Sequence, residues 1–190
     1  MVATYIVDEP NGSGCLTDVK GTANPALQNA VSAIRQAPST ATLPMVSILT
    51  LDFASIRQGI KLLDWIGFDH YGDSDNTWTN TMNSLKSYAP GKKYIVVPGS
   101  MTGCPDVTID NPTRFLQSMS TDPDVVWLAP FAWFSVSATC KGVRGIPSLR
   151  STYTNEGLSI KAQQCNSSLG AKQFCGMASN IAAINYLLGD

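Results

Sequence analysis

The chain has 190 residues, a formal net charge of −1, a hydrophobic fraction of 44% and a charged fraction of 14%. This length allows one domain with a substantial hydrophobic core. The near-zero charge gives no electrostatic basis for binding nucleic acid or an anionic membrane, and no apolar run approaches the ~20 residues of a membrane-spanning helix, so we expect neither as a partner.

Five short apolar runs along the chain predict β-strands. In chain order they cover residues 3–7, 45–49, 65–69, 94–97 and 125–130. Each run is continuously apolar rather than alternating, which is typical of strands in a parallel sheet that is covered by helices.

Helical patterns separate these strands. The first helix is predicted at 25–36, after the start signal Asn24-Pro25. Two further helices are predicted in the C-terminal part, at 155–165 and 173–188. The four helices between strands have the apolar faces Leu27, Val31 and Ile34; Ile56, Ile60 and Leu63; Trp78, Met82 and Leu85; and Phe115, Leu116 and Met119.

The regular alternation of strand and helix predicts an α/β fold with a parallel sheet. We expect one domain over residues 1–190, with β/α repeats in 1–135 and a C-terminal loop and helices in 136–190. No glycine-rich phosphate loop follows any strand, so we expect no nucleotide cofactor.

The N-terminus enters the first predicted strand directly. It lacks the basic start and longer apolar stretch of a signal peptide. A start inside a strand suggests a truncated sequence or an unusually short gene.

The cysteines are Cys15, Cys104, Cys140, Cys165 and Cys175. With no C-x-x-C pair and one histidine, we expect no zinc or other metal site. Two alternatives remain, namely buried free thiols or disulfides in a secreted, extracellular protein. Cys104 and Cys140 each follow a predicted strand, which allows them to meet at one rim, and Cys165 and Cys175 are spaced to close a short loop.

The residues that follow each strand are the candidates for a site, because parallel α/β proteins bind ligands at the carboxyl ends of their strands. Carboxylates perform acid, base or nucleophile chemistry at an acetal, and aromatic faces stack on sugar rings, so this set is typical of a carbohydrate site. The residues are Asp8, Glu9, Asp52, Asp69, His70, Tyr71, Ser100 and Trp133.

Four of the strand segments resemble TIM-barrel glycoside hydrolases. YIVDEPNG resembles the fourth strand of these barrels, DWIGFDHYG the sixth, KYIVVPGS the seventh and VVWLAPFAWF the eighth. The resemblance covers roughly residues 3–135 and implies a partial barrel of about five strands, whereas a closed barrel has eight. Either upstream strands are missing, or a second copy of the chain covers the sheet edges as a homo-oligomer, or the sheet is open.

A two-carboxylate mechanism is the chemistry that this resemblance implies. Because neighbouring strand residues point to opposite faces, Tyr5, Val7 and Glu9 are expected to share a face. We predict Glu9 as the general acid/base, because it lies one step further out than Asp8 and Pro10 then turns the chain. Asp69 is the best second carboxylate, since only one strand separates the two strand ends.

Further residues at these strand ends are predicted to bind the substrate. Tyr71 shares a face with Asp69 and is expected to orient a carboxylate or the substrate. Asp8, Asp52 and Trp133 are the other predicted contacts. Asp52 has an alternative role as the cap of the helix that follows it.

The sequence also departs from the glycosidase patterns. The strand that resembles the seventh ends in Val97-Pro98-Gly99-Ser100 without a carboxylate, and the chitinase-like pattern D-x-x-D-x-D-x-E is absent.

Three hypotheses about the function follow from the sequence. The first is a glycoside hydrolase-like domain that cleaves or binds a polysaccharide, and the second is a non-catalytic carbohydrate-binding or structural protein on the same scaffold. The third is another α/β enzyme, such as a serine hydrolase, which the missing G-x-S-x-G elbow disfavours.

Overall fold

The computed structural model describes residues 3–11, 24–55 and 57–166. Within them lies a sheet of five parallel strands, whose order across the sheet is also their order along the chain. The five strands predicted from the sequence are thereby confirmed. They are β1 Thr4–Asp8, β2 Met45–Leu49, β3 Trp65–Phe68, β4 Lys93–Val96 and β5 Val125–Leu128.

Three α-helices alternate with these strands, and each begins at a side-chain cap. The cap residues Asn24, Ser74 and Asn111 each accept a hydrogen bond from a main-chain N–H in the first helical turn. The helices are α1 Pro25–Gln36, α2 Asp75–Tyr88 and α3 Pro112–Thr121.

The main hydrophobic core lies between one face of the sheet and these helices. The helices contribute Leu27, Val31, Trp78, Met82, Leu85 and Phe115, and the strands contribute Met45, Leu49, Ile66, Phe68, Tyr94, Val96 and Val125. Right-handed crossovers that all lead to the same face produce a strand order that follows the chain, as in a TIM barrel, whereas doubly wound sheets reverse their order and carry helices on both faces. The fold is therefore the predicted barrel-like α/β sheet, open and with five strands.

The other face of the sheet, which we call the inner face, carries a smaller apolar cluster. Its buried members are Val46, Ile48, Ile95 and Val97, all from the strands or their ends. Tyr71, from the loop after β3, packs against this cluster. Tyr71 therefore lies at the carboxyl ends of the strands and contacts the inner face of the sheet.

The helix predicted between β2 and β3 differs in type from the helices that the structure shows there. The chain there forms two 3-10 helices, Phe53–Ser55 and Arg57–Leu62, instead of one α-helix. Gly59 is a poor α-helix former, and three residues per turn bring Ile60 and Leu63 to the same side. Both residues are buried, as the predicted apolar face required.

The chain divides into two compact units, Met1–Gly145 and Ile146–Asp190. Helix α4 of the second unit, Pro147–Asn166, includes the helix predicted at 155–165. The helix predicted at 173–188 lies outside the described residues, as do Cys15 and Cys175. The organisation as a single domain stays a prediction.

A disulfide joins Cys104 and Cys140, which are 36 residues apart. This pairing confirms the prediction that the two cysteines meet at one rim. Thr102 and Lys141 beside them exchange two main-chain hydrogen bonds, each 2.9 Å long. The disulfide therefore fastens the loop after β4 to the loop after β5.

None of the helices in the described ranges combines the length and the apolar character that crossing a membrane requires.

Candidate active site

The carboxyl ends of β1 and β3 bring four of the predicted site residues together. Asp8 ends β1 and Glu9 follows it, while Asp69 and Tyr71 come directly after β3. Both strands pair with β2, so a single strand separates them. The side chains of this group interact with one another through hydrogen bonds and charge.

A bulge in β1 changes which side chains face the site. Pairing with β2 shifts by one residue between Tyr5 and Val7, so Tyr5 lies opposite Val46 and Asp8 lies opposite Ile48. Val46 and Ile48 belong to the inner face, and Asp8 therefore shares that face with Tyr5. The predicted common face of Tyr5, Val7 and Glu9 was wrong, because the extra residue in the bulge reverses the alternation.

Tyr5 is a site residue that the sequence analysis did not identify as one. Its hydroxyl donates a hydrogen bond to Asp8 Oδ1. Burial raises the pKa of Tyr5, and the hydrogen bond to Asp8 and the negative charge of that carboxylate raise it further. Tyr5 therefore remains a neutral donor that holds Asp8 in place.

Glu9 reaches the same site by a different backbone conformation. Its φ angle is +41°, in the left-handed region that residues other than glycine rarely occupy. Its N–H donates to Ile48 O at 2.9 Å, which fixes the turn at the end of β1. The Glu9 carboxyl interacts with Asp69, and this interaction contributes to the raised pKa of Glu9.

The pKa values of both carboxyl groups are raised. Desolvation raises the pKa of Glu9, and the charges of Asp69 and Asp8 raise it further. Desolvation also raises the pKa of Asp69, the charge of Asp8 adds to this effect, and the hydrogen bond from Tyr71 opposes it. Each shift favours a protonated carboxyl in the pair.

The Tyr71 hydroxyl contacts the second acid. Tyr71 Oη donates to Asp69 Oδ2 at 3.2 Å. This hydrogen bond lowers the pKa of Asp69 against the effect of desolvation, so it favours Asp69 as the ionised member of the pair.

An aromatic pair borders the acidic group. The rings of Tyr71 and Phe131 stack with centroids 5.5 Å apart and planes 12° apart. Phe131 is 44% exposed, so part of its ring is open to solvent. The sequence analysis selected Trp133 as the aromatic contact, but Phe131 is the ring that stacks on Tyr71.

The remaining predicted residues lie at the same sheet edge but outside this group of contacts. Asp52 is exposed in the loop after β2, where its carbonyl oxygen accepts from Asn11 Nδ2 at 3.1 Å. Trp133 is half-buried after β5, where its carbonyl oxygen accepts from Arg144 N at 3.0 Å. Their roles in binding a substrate stay predictions.

A buried ion pair under the site was missed by the sequence analysis. Asp110 is 3% exposed, and its carboxylate accepts from Gly72 N at 2.9 Å, Gly99 N at 2.7 Å and Arg114 Nη2 at 3.0 Å. The spacing of Asp110 and Arg114, four residues apart across a helix start, was the signal that could have indicated this pair.

No group of three or more metal-binding side chains in the described residues is arranged to hold a metal ion.

No protein-family model and no curated protein matches the chain. Among solved structures, a GH128 (subgroup VI) exo-β-1,3-glucanase from Aureobasidium namibiae is similar at a TM-score of 0.44 and 18% identity, over 70% of this chain and 56% of that one. An active-site mutant of the β-1,3-glucanosyltransferase from Rhizomucor miehei, in complex with laminaritriose, is similar at 0.43 and 10%, over 67% and 52%. The sialic acid aldolase of Ruminococcus gnavus is similar at 0.43 and 13%, over 64% and 40%.

The likeness to glycoside hydrolases that the sequence suggested is thus found among solved structures as well. The chain spans between 40% and 56% of the length of these proteins. With TM-scores of 0.43 to 0.44 and identities of 10% to 18%, the similarities do not establish an activity.

Proposed function

We propose that the strand-end site cleaves a glycosidic bond and that Glu9 is its general acid. The observation that supports this most strongly is the position of Glu9, Asp69 and Tyr71 at one strand-end edge, where the Tyr71 hydroxyl lies 3.2 Å from Asp69 Oδ2 and the pKa of both carboxyls is raised. In this proposal the two carboxyls share one proton, and Glu9 carries it. A carboxyl that keeps its proton above its ordinary range can donate it to the oxygen of a leaving group. The position at the carboxyl ends of parallel strands is where such sites occur.

The proposed reaction begins with proton transfer from Glu9 to the glycosidic oxygen. As the bond between that oxygen and the anomeric carbon breaks, the electron pair stays on the oxygen and positive charge develops on the sugar ring. The carboxylates of Asp69 and Asp8 stabilise this charge. Water then attacks the anomeric carbon and gives its proton to Glu9, which restores the acid.

Asp69 and Asp8 have different positions in this proposal. The charge of Asp69 raises the pKa of the acid Glu9, and the charge of Asp8 adds to this effect. Asp8 shares the inner face of the sheet with Tyr5.

The stacked rings supply the binding surface in this proposal. A sugar ring packs its C–H face on the exposed part of Phe131, which is 44% accessible, and Tyr71 holds Phe131 from below by stacking. Phe131 thus takes the role that the sequence analysis gave to Trp133. The Cys104–Cys140 disulfide fastens the loop that contains Phe131 to the loop after β4, and it supports the proposal that the protein works outside the cell.

Carbohydrate binding without cleavage is the second candidate function. The exposed ring of Phe131 beside the acids favours it, because an aromatic face with polar neighbours can bind a sugar ring without any chemical step. In this alternative the acids and the aromatic pair hold a glycan through hydrogen bonds and stacking only.

The experiment that separates the two functions compares wild type with Glu9→Gln. Product release is measured on a panel of α- and β-linked oligosaccharides, and binding to the same panel is measured by calorimetry. Hydrolysis requires that wild type releases sugar and that Glu9→Gln loses turnover by about 100- to 10,000-fold with binding retained. Binding by both proteins with no product from either supports the second function.

Asp124→Asn provides the matched control for a lost carboxylate. Asp124 precedes β5, at the amino end of the sheet, and pairs with Lys93 at 2.7 Å. This variant is expected to keep wild-type turnover. Equal turnover in wild type, Asp124→Asn and Glu9→Gln would exclude Glu9 as the acid.

A further inference from the structure

The loops after β3 and β4 are held together by one buried carboxylate. Asp110 Oδ1 accepts from Gly72 N at 2.9 Å, and Asp110 Oδ2 accepts from Gly99 N at 2.7 Å. Asp110 N also donates to Gly99 O at 2.9 Å. Gly72 directly follows Tyr71, so Asp110 fixes the backbone next to the residue that binds Asp69.

Arg114 neutralises and orients this carboxylate. Arg114 is 8% exposed, and its Nη2 lies 3.0 Å from Asp110 Oδ1. Its Nη1 donates to Asp73 O at 2.6 Å, and its guanidinium lies 4.7 Å from the ring centre of Phe115. The ion pair therefore connects helix α3 to the loop that contains Tyr71. Burying the two charges costs desolvation energy, so the pair contributes to the geometry of these loops rather than to the stability of the fold.

Close packing transmits the position of Gly99 to the Tyr71 ring. A Cβ atom placed on Gly99 would lie 3.0 Å from Tyr71 Cδ1 and 2.3 Å from Thr108 O. The Gly99 backbone is thus in direct contact with the edge of the ring. A displacement of the Gly99 amide from Asp110 therefore changes the space on one side of the ring.

We propose that Asp110 and Arg114 are positioning residues, which hold Gly72 and Gly99 so that Tyr71 donates its hydrogen bond to Asp69. The proposal deepens the proposed function, on which only its kinetic test rests. Loss of the pair moves the Tyr71 hydroxyl away from Asp69 without changing any group that touches the substrate. A misplacement of about 1 Å is sufficient to reduce turnover substantially.

The first test does not require activity. The titratable groups that interact with Asp69 are Tyr5, Asp8 and Glu9 on the β1 side and Tyr71 in its own loop. Its titration is followed by carbon NMR of labelled aspartate in wild type and Asp110→Asn. Because the hydrogen bond from Tyr71 lowers the pKa of Asp69, we expect that pKa to rise in the variant. An unchanged titration in a folded variant overturns the proposal.

A double variant provides the same test if Asp110→Asn does not fold. Asp110→Asn removes the negative charge that pairs with the buried Arg114. The double variant Asp110→Asn/Arg114→Met therefore replaces the pair with uncharged side chains. We expect the same rise in the pKa of Asp69 in this protein. Asp122→Asn is the matched control, because it removes the ion pair with Lys86 in the helix layer. It is expected to reduce stability and to leave the Asp69 titration at its wild-type position.

The kinetic test uses Tyr71→Phe as the background. If Asp110 acts through Tyr71, Asp110→Asn reduces kcat about tenfold in wild type and less than about twofold when Tyr71 is already phenylalanine. Equal reductions in both backgrounds would show that Asp110 acts by another route and would contradict the proposal. If no protein in the series has activity, the titration still decides the inference, and only the proposed function fails.

Discussion

The side-chain carboxyls of Glu9 and Asp69 interact at the carboxyl edge of the sheet, although they come from strands that are not neighbours. Two features make the interaction possible. The backbone of Glu9 turns into the left-handed region at a φ of +41°, and Asp69 lies in the loop that begins where β3 ends. The raised pKa of both carboxyls is the basis of the predictions on pH below.

The pH dependence of stability should differ between wild type and Glu9→Gln. The pKa of Glu9 is higher in the folded protein than its ordinary value of about 4.3. Between these two values the folded state binds more protons than the unfolded state, so this group's contribution to stability is complete below the ordinary value and is lost as the pH rises. We expect urea unfolding to show a free energy that declines through this window more steeply in wild type than in Glu9→Gln. Parallel curves would contradict the raised pKa.

Tyr71→Phe should shift the acid limb of the pH–activity profile to higher pH. The variant keeps the ring that stacks on Phe131 but removes the hydroxyl that lies 3.2 Å from Asp69 Oδ2. Because that hydrogen bond lowers the pKa of Asp69, its loss lets the pKa rise, and Asp69 ionises at higher pH. The measurement is kcat/KM against pH.

Tyr94→Phe is the matched control for that experiment. The Tyr94 hydroxyl donates to Ala89 O at 2.9 Å in the core between sheet and helices. Its removal is expected to reduce stability and to leave the profile unshifted. A Tyr71→Phe profile that coincides with the Tyr94→Phe profile would exclude Tyr71 from the site.

Phe131→Ala should weaken glycan binding more than Trp133→Ala. Loss of a stacking ring costs about 1 to 1.5 kcal/mol, which corresponds to roughly tenfold weaker binding. Phe131 stacks on Tyr71 beside the acids, and no ring contact with Tyr71 is formed by Trp133 in the described part of the structure. The affinity of both variants is measured by calorimetry, with a glycan that the wild-type protein binds. A larger loss in Trp133→Ala would restore the expectation drawn from the sequence.

The Cys104→Ser/Cys140→Ser variant should be less stable than wild type. For a closed loop of 36 residues, the chain-entropy relation gives a loss of about 4 kcal/mol, or roughly 10 °C in melting temperature. Calorimetric melting with and without a reductant measures this. The variant is expected to be insensitive to the reductant, and wild type is expected to melt at the variant's temperature when fully reduced. Equal melting temperatures in oxidised wild type and variant would contradict a stabilising role.

The strands were predictable because each is a continuous run of apolar residues in the sequence. Residues such as Met45 and Leu49 are buried because both faces of β2 are covered, and this produces the continuous pattern from which the parallel sheet was predicted. The connection that contains Gly59 was predicted as an α-helix, since apolar spacing alone does not distinguish an α-helix from 3-10 turns over so few residues.

Four members of the candidate site were predictable, but Tyr5 and the geometry of the site were not. Asp8, Glu9, Asp69 and Tyr71 follow from the rule that ligands meet the strand ends. The bulge after Tyr5 leaves no mark in the sequence, so the alternation of side chains was assumed to continue and the predicted common face of Tyr5, Val7 and Glu9 was wrong. The roles assigned to these residues stay proposals.

The measurement that tests the central claim most directly is the titration of the Glu9 carboxyl in wild type and in Asp69→Asn. Carbon NMR of labelled glutamate reports it, and Asp124→Asn serves as the control. A proton shared by Glu9 and Asp69 predicts that Glu9 titrates above its ordinary range in wild type and in the control, and that its pKa falls when Asp69 loses its charge. If Glu9 titrates at its ordinary value in all three proteins, the two carboxyls do not share a proton and Glu9 is not the acid.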